Sequence, residues 1–194
     1  MIDLAKLKAA NAARWSAMRV DPALAATLDA VAARLIAPAT KTRYRIVAAQ
    51  TSVPWFAIAV IHERESSQSW AANLAQGDPW NAVSVHVPKG QGPFDCWEDA
   101  AVNALTRCPP YAAHWADWSI GGALTLLEEY NGLGYARRGV PSPYLWAATD
   151  QYKSGKYIAD GHYDPNAVDH QLGCAALLAR MAAADQSITL GAFA

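Results

Sequence analysis

Two glutamates, Glu63 and Glu65, close an almost wholly apolar stretch that begins at Pro54. On a helix, Glu65 shares a face with Ile58 and Ile61, and apolar surroundings disfavour the charged form of a carboxyl group. Burial therefore raises the pKa of a glutamate and lets it donate a proton near neutral pH, which is the chemistry of a glycosidase acid. Glu63 points roughly 200° away from Glu65 around a helix. Only one of the two can face a given cleft.

The spacing alone leaves a structural alternative for Glu65 open. Its carboxylate could pair with Arg64, or with Arg43 from the preceding helix, or extend into solvent. An exposed or ion-paired glutamate has no reason to hold its proton at neutral pH.

Asp78 is the nearest candidate for a second catalytic carboxylate, because a turn after Glu65 could bring it back across a cleft. In that role it would hold a water molecule or stabilise a positively charged sugar centre. As an Asp before Pro79, it is also a standard turn former, which hydrogen-bonds its own backbone. Ser84 and His86 alternate with valines, so on a strand they would face either a substrate or bulk water.

Several motifs occur in an order that resembles a bacterial and phage-derived lysozyme-like family. In chain order they read HERESS at 62–67, NLAQGDP at 73–79, VPKG at 87–90 with PF at 93–94, EEYNGLGY at 128–135, SPYLW at 142–146, and GKY at 155–157 with DG at 160–161. The glutamate-serine pair and the later Tyr-Asn-Gly are also similar to those of lytic transglycosylases and goose-type lysozymes. The resemblance covers about residues 53–178.

The resemblance implies a lysozyme-like fold, α+β and predominantly α, with a small β-hairpin flanking the cleft. It implies that Glu65 is the general acid that cleaves the β-1,4 bond between N-acetylmuramic acid and N-acetylglucosamine. Tyr130 and Asn131 would line the sugar cleft, and Tyr144 and Trp146 lie in a matched motif. Tyr130 could instead be a core residue, and Asn131 a helix terminator.

Two outcomes of the reaction remain open at this point. Attack by water gives a hydrolase, and attack by the C6 hydroxyl of the muramic acid gives a lytic transglycosylase. A rival of another class is a wall-binding or structural module that keeps the fold without the activity; the glutamate at position 65 speaks against it.

The composition is that of a single globular domain of 194 residues, with 53% hydrophobic residues, 17% charged residues and a net charge of -1. These values exclude a disordered chain and a basic nucleic-acid binder. We expect one domain over 1–194, with N-terminal helices over 1–50 and a catalytic core over 53–178. The expected partner is the glycan strand of peptidoglycan, bound by a monomer.

No cofactor or metal is expected, because the sequence has no phosphate-binding glycine loop and no cluster of metal-ligand spacing. Three cysteines form no framework, so free thiols are predicted, with a bridge from Cys96 to Cys108 as the alternative. The longest apolar run, 53–61, is too short for membrane insertion. Without a visible export signal, we expect synthesis in the cytoplasm and access to the wall by phage-type or other release.

Helices must position these residues, and one β-hairpin is predicted among them. Helical spacing and capping signals predict helices over about 3–18, from 21, and over 40–50, 54–65, 97–105, 117–131 and 168–183, with a short one ending at 146. The alternation of Val83, Val85 and Val87 with polar residues, after a Gly-Asp-Pro turn, predicts the hairpin over 73–88. A second irregular or hairpin segment is predicted over 155–161.

Overall fold

The computed structural model describes residues 2–191, and α-helices dominate it. The helices are α1 (Leu4–Ala17), α2 (Ala25–Ile36), α3 (Pro38–Thr51), α4 (Trp55–Ser66), α5 (Trp97–Arg107), α6 (Ile120–Tyr130), α7 (Gly134–Arg138), α8 (Pro143–Trp146) and α9 (Cys174–Ala184). The strands are β1 (Lys156–Ala159) and β2 (His162–Asp164), and short 3-10 helices span Pro22–Leu24 and Ala112–His114. The predicted class, α+β and predominantly α, is confirmed.

Side-chain caps explain where several helices begin. The Asp3 carboxylate accepts a hydrogen bond from the Lys6 amide at 3.2 Å, which caps α1. Ser119 caps α6 in the same way through the Gly122 amide. Each cap satisfies a backbone donor that has no partner within the helix, so each start is encoded locally.

The β-hairpin lies where the second irregular or hairpin segment was predicted, over 155–161, and not over 73–88. β1 and β2 pair antiparallel, with Lys156 opposite Asp164 and Tyr157 opposite Tyr163, and Gly161 turns the chain between them with a φ of 71°. The prediction of a hairpin over 73–88 is wrong, since that segment has no strand and only an isolated bridge from Ala72 to Pro79.

Some helix bounds also differ from the predicted ones. α9 begins at Cys174 rather than near 168, because the Asp169 carboxylate accepts a hydrogen bond from the Gln171 amide and holds that stretch in a turn. The sequence patterns missed α7, a helix of 5 residues. Its C-cap is Gly139, which has a φ of 70°.

The chain divides into two compact units. We call residues up to Ala33 together with those from Trp118 the terminal unit, and Arg34–Asp117 the central unit. In the terminal unit α6 packs against α1, α8 and α9, around fully buried side chains such as Leu124, Leu127 and Leu177.

In the central unit α3 packs against α4 and α5. Its core includes the fully buried Tyr44, Val47, Ile58, Ile61 and Leu105. The prediction that α4 is a buried helix is confirmed, because nine of its residues are buried. Each large apolar side chain removed from water contributes about 1.5 to 3 kcal/mol.

The three cysteines are free, as predicted: Cys108 and Cys174 are buried, and Cys96 is half-buried. Within residues 2–191, no helix by itself has the length and apolarity needed to cross a membrane; Pro22–Ile36 and Pro38–Thr51, taken together as a bent pair, meet both criteria.

Candidate active site

Glu65 lies in the last turn of α4 and is half-buried. The helix ends at Ser66. Ser67 then adopts the left-handed conformation with a φ of 52°, and its amide donates a hydrogen bond to the Glu63 carbonyl at 2.8 Å. The Ser66 hydroxyl donates back to the His62 carbonyl at 3.1 Å. Glu65 is therefore carried by a helix end that is closed by defined hydrogen bonds.

Glu63, the other acid of α4, is held in an ion pair. Arg34 Nη2 lies 2.8 Å from Glu63 Oε2, and the Glu63 side chain is 13% exposed. The contact places Glu63 in a structural ion pair between α2 and α4. Arg43, one of the two arginines weighed as a partner for Glu65, binds Glu98 through two hydrogen bonds of 2.5 and 3.1 Å.

A chain of buried hydrogen bonds fixes the turn that follows α4. Arg34 Nη1 donates to Gln68 Oε1 at 2.5 Å, and Gln68 Nε2 donates to the Tyr44 hydroxyl at 3.0 Å. His62 Nδ1 lies 3.0 Å from the Tyr44 oxygen, and His62 Nε2 lies 3.0 Å from the Ser69 carbonyl.

The direction of each of these hydrogen bonds follows from the chemistry of the groups. The Ser69 carbonyl can only accept, so His62 Nε2 carries the proton and Nδ1 accepts from the Tyr44 hydroxyl. Burial lowers the pKa of His62 to about 4 and raises the pKa of Tyr44. Both groups are therefore neutral at physiological pH, as this direction requires.

Aromatic rings surround His62 and complete the packing. Its ring centroid lies 4.7 Å from that of Trp70 and 4.5 Å from that of Trp97, and the Arg43 guanidinium stacks 3.8 Å from the Trp70 centroid. Rings that meet edge to face, and a cation over a ring face, contribute stability beyond that gained from burying the rings. The backbone that follows Glu65 thus packs against a cluster centred on the buried His62 and Trp97 rings.

Asp78 is buried and organises the loop beyond it. Its Oδ2 accepts hydrogen bonds from the amides of Val85 and His86 at 2.8 and 2.9 Å, and its Oδ1 lies 2.6 Å from His86 Nδ1. The hydrogen bonds from His86 and Val85 lower the pKa of Asp78. This arrangement supports the structural alternative weighed for Asp78, because its carboxylate oxygens are engaged by the protein.

Ser84 also holds the loop together. Its hydroxyl donates to the Pro88 carbonyl and accepts from the Gln91 amide, both at 2.9 Å. Ser84 is 5% exposed, whereas Val83, Val85 and Val87 are 56, 66 and 79% exposed. The predicted orientation is therefore reversed: the valines face outward and the serine inward. His86 is exposed, as the bulk-water alternative expected.

The remaining candidates belong to the terminal unit, whereas Glu65 and Asp78 belong to the central unit. Tyr130 is half-buried at the end of α6, and Asn131 is its exposed C-cap, which fits the helix-terminator alternative. Tyr144 and Trp146 are 3% and 1% exposed, so their rings pack in the core and are not displayed for stacking on a sugar.

Gln76 is a residue that the sequence patterns did not single out. Within residues 2–191, its amide oxygen and nitrogen are both buried without a hydrogen-bond partner. An amide in this state can donate to and accept from a ligand, and leaving it unsatisfied carries a desolvation cost. The only signal in the sequence was its place inside the NLAQGDP motif.

No family model, curated protein or solved structure matches this chain. Among the described residues, no group of three or more His, Cys, Asp or Glu side chains is placed to hold a metal ion.

Proposed function

We propose that the protein is a peptidoglycan glycosidase in which Glu65 donates a proton to the glycosidic oxygen between N-acetylmuramic acid and N-acetylglucosamine. The observation that carries the proposal is the position of Glu65, which is half-buried in the last turn of a buried helix. Glu63, on the same helix, forms an ion pair with Arg34. A carboxyl group that is partly shielded from water suits general acid catalysis.

The hydrogen-bond chain through His62 supports this assignment. A general acid must be held close to one geometry, and precise positioning contributes a large part of enzymatic rate enhancement. The buried links from Gln68 to Tyr44 to His62 fix the turn directly after Glu65. Together with the motif order, these contacts favour an enzyme over a wall-binding module.

The first test is replacement of the acid. Glu65→Gln keeps the shape of the side chain and removes the proton donor, so we expect lysis to fall by about 10² to 10⁴-fold. The measurement is the loss of turbidity of permeabilised Gram-negative cells with purified protein.

Glu63→Gln is the matched control, because it changes the same residue type on the same helix. It should retain much more activity than Glu65→Gln, although loss of the Arg34 pair should lower stability. Equal lysis by wild type and Glu65→Gln would contradict the proposal. Complete absence of glycan cleavage by the wild type would favour the wall-binding module.

A second candidate is a lytic transglycosylase acting on the same bond. Asp78 accepts two backbone hydrogen bonds and contacts His86, so its carboxylate is poorly placed to activate water as well. Without a second base, the C6 hydroxyl of the substrate is a suitable nucleophile, since it is already tethered and has a high effective concentration.

The products separate the two candidates. Mass spectrometry of digested muropeptides will find 1,6-anhydromuramic ends for a transglycosylase and reducing ends for a hydrolase. If Asp78 is structural, Asp78→Asn will leave the type of product unchanged while lowering stability. A switch or loss of reducing ends in a folded Asp78→Asn variant would instead indicate that Asp78 takes part in hydrolysis.

A further inference from the structure

A pocket of about 150 Å³ lies wholly within the terminal unit. Helix α1 contributes Asn11 and Arg14, α6 contributes Glu128, and the segment before α8 contributes Ser142. Leu7 and Val140 add apolar wall. The pocket thus combines one acid, one base and a hydroxyl on an apolar lining.

Ser142 provides the strongest indication of a ligand. Its side chain is fully buried, and within residues 2–191 its hydroxyl has no hydrogen-bond partner. Leaving a buried hydroxyl unsatisfied costs about 1 to 3 kcal/mol. Ser142 lines the pocket, so a molecule bound there can supply the partner.

The two charged side chains of the pocket are not joined to each other. Glu128 is 2% exposed and accepts a hydrogen bond at 3.2 Å from Asn11 Nδ2, which also donates to Thr125. Arg14 lines the same pocket, yet among the described residues it forms no direct ion pair with Glu128. Arg14 therefore acts on Glu128 through its charge and not through a direct ion pair.

We propose that this pocket binds a small zwitterion of the α-amino acid type, about the size of alanine. The ligand's carboxylate would pair with Arg14, and its ammonium group would donate hydrogen bonds to the Glu128 carboxylate and the Ser142 hydroxyl. The proposal goes beyond the glycosidase activity and does not depend on it, because none of these residues belongs to the central unit.

The volume sets the size of the ligand. A cavity of 150 Å³ holds a molecule of about six heavy atoms, on the scale of benzene. A sugar ring with its substituents is larger than this. A molecule with a single charge would leave either Arg14 or Glu128 without an oppositely charged partner, so both ends of the zwitterion are needed.

The test is an NMR titration of the ¹⁵N-labelled full chain with L-alanine, alongside acetate and ethylamine, which each keep one end of the zwitterion. We expect saturable shifts with L-alanine at the amides of Gly139, Val140 and Ser142, and at least tenfold weaker binding of acetate and ethylamine. Equal binding of the three probes would overturn the proposal. Absence of shifts with L-alanine would show that the pocket holds water only, which also overturns it.

Two variants test the proposed contacts. Arg14→Gln and Ser142→Ala should each weaken L-alanine binding about tenfold, as loss of one charged or neutral hydrogen bond predicts. Arg107→Gln, a change of an exposed arginine in the central unit, is the matched control and should bind normally. Arg14→Gln changes a half-buried side chain and is the variant to measure if Ser142→Ala does not fold. Unchanged affinity in folded Arg14→Gln would contradict the assignment.

Discussion

In the central unit, hydrogen bonds run without a break from Arg34 through Gln68, Tyr44 and His62 to Ser69, whereas in the terminal unit the buried hydroxyl of Ser142 has no partner within residues 2–191. Both are buried polar groups, and both would be costly if left unsatisfied. The difference indicates different roles. A network in which every group is hydrogen-bonded holds a backbone segment in place, and a buried group without a partner beside a pocket can bind a ligand.

The two regions also differ in how pH acts on them. Burial lowers the pKa of His62, so its neutral form is the one that the fold stabilises. Burial raises the pKa of Glu128, against the lowering effect of the Asn11 hydrogen bond and the Arg14 charge. The fold therefore disfavours the charged form of both groups, and the two make opposite contributions to the pH dependence of stability.

The largest expected effect is the pH dependence due to His62. Because its pKa is about 4 in the folded chain and 6.5 in the unfolded chain, the unfolded state takes up the proton first as the pH falls. The contribution is complete above pH 6.5 and is lost progressively towards pH 4, with a total of about 3 kcal/mol. Urea unfolding across this pH range will measure it.

His62→Gln isolates this effect from the titration of carboxylates. The wild type should lose more stability than the variant between pH 6.5 and 4. Plots of the free energy of unfolding against pH should run parallel for the two proteins above pH 6.5. Parallel curves over the whole range would mean that the His62 pKa is not depressed and that the network does not require the neutral ring.

The next effect comes from deleting one hydroxyl in each region. Tyr44→Phe removes the acceptor for Gln68 and the donor for His62, so we expect a loss of about 1 to 3 kcal/mol in the free energy of unfolding. Ser142→Ala removes a hydroxyl without a partner in residues 2–191, and should be neutral or slightly stabilising in the absence of ligand. A destabilisation by Ser142→Ala equal to that of Tyr44→Phe would erase the contrast between the regions.

The smallest expected effect is the pH dependence due to Glu128. The Asn11 hydrogen bond and the Arg14 charge offset part of the rise in pKa that burial causes. Because its pKa is raised, the Glu128 carboxyl of the folded state keeps its proton to a higher pH than that of the unfolded state. Its contribution to folding stability is therefore present below pH 4.5 and is lost as the pH rises. Wild type should therefore lose stability relative to Glu128→Gln above pH 4.5, measured by urea unfolding. A difference that does not change with pH would contradict this prediction.

Local patterns predicted the helices well, and they failed where a loop depends on distant partners. α4 was predicted almost to the residue, because an uninterrupted apolar stretch with a Pro at its start leaves few alternatives. The valine alternation at 83–87 predicted a strand, but alternation alone provides no second strand to pair with. The Asp78 carboxylate and the Ser84 hydroxyl satisfy the backbone of that segment instead.

The sequence by itself determined the helical class, the buried character of α4 and the presence of two acids at its end, because helical periodicity and capping act over a few residues. Tertiary structure decided which groups those acids and their neighbours contact. Glu63 meets an arginine from α2, and Glu128 meets Asn11 from the far end of the chain. Such partners come together only when helices pack, so no spacing in the sequence could show that Glu63 pairs with Arg34.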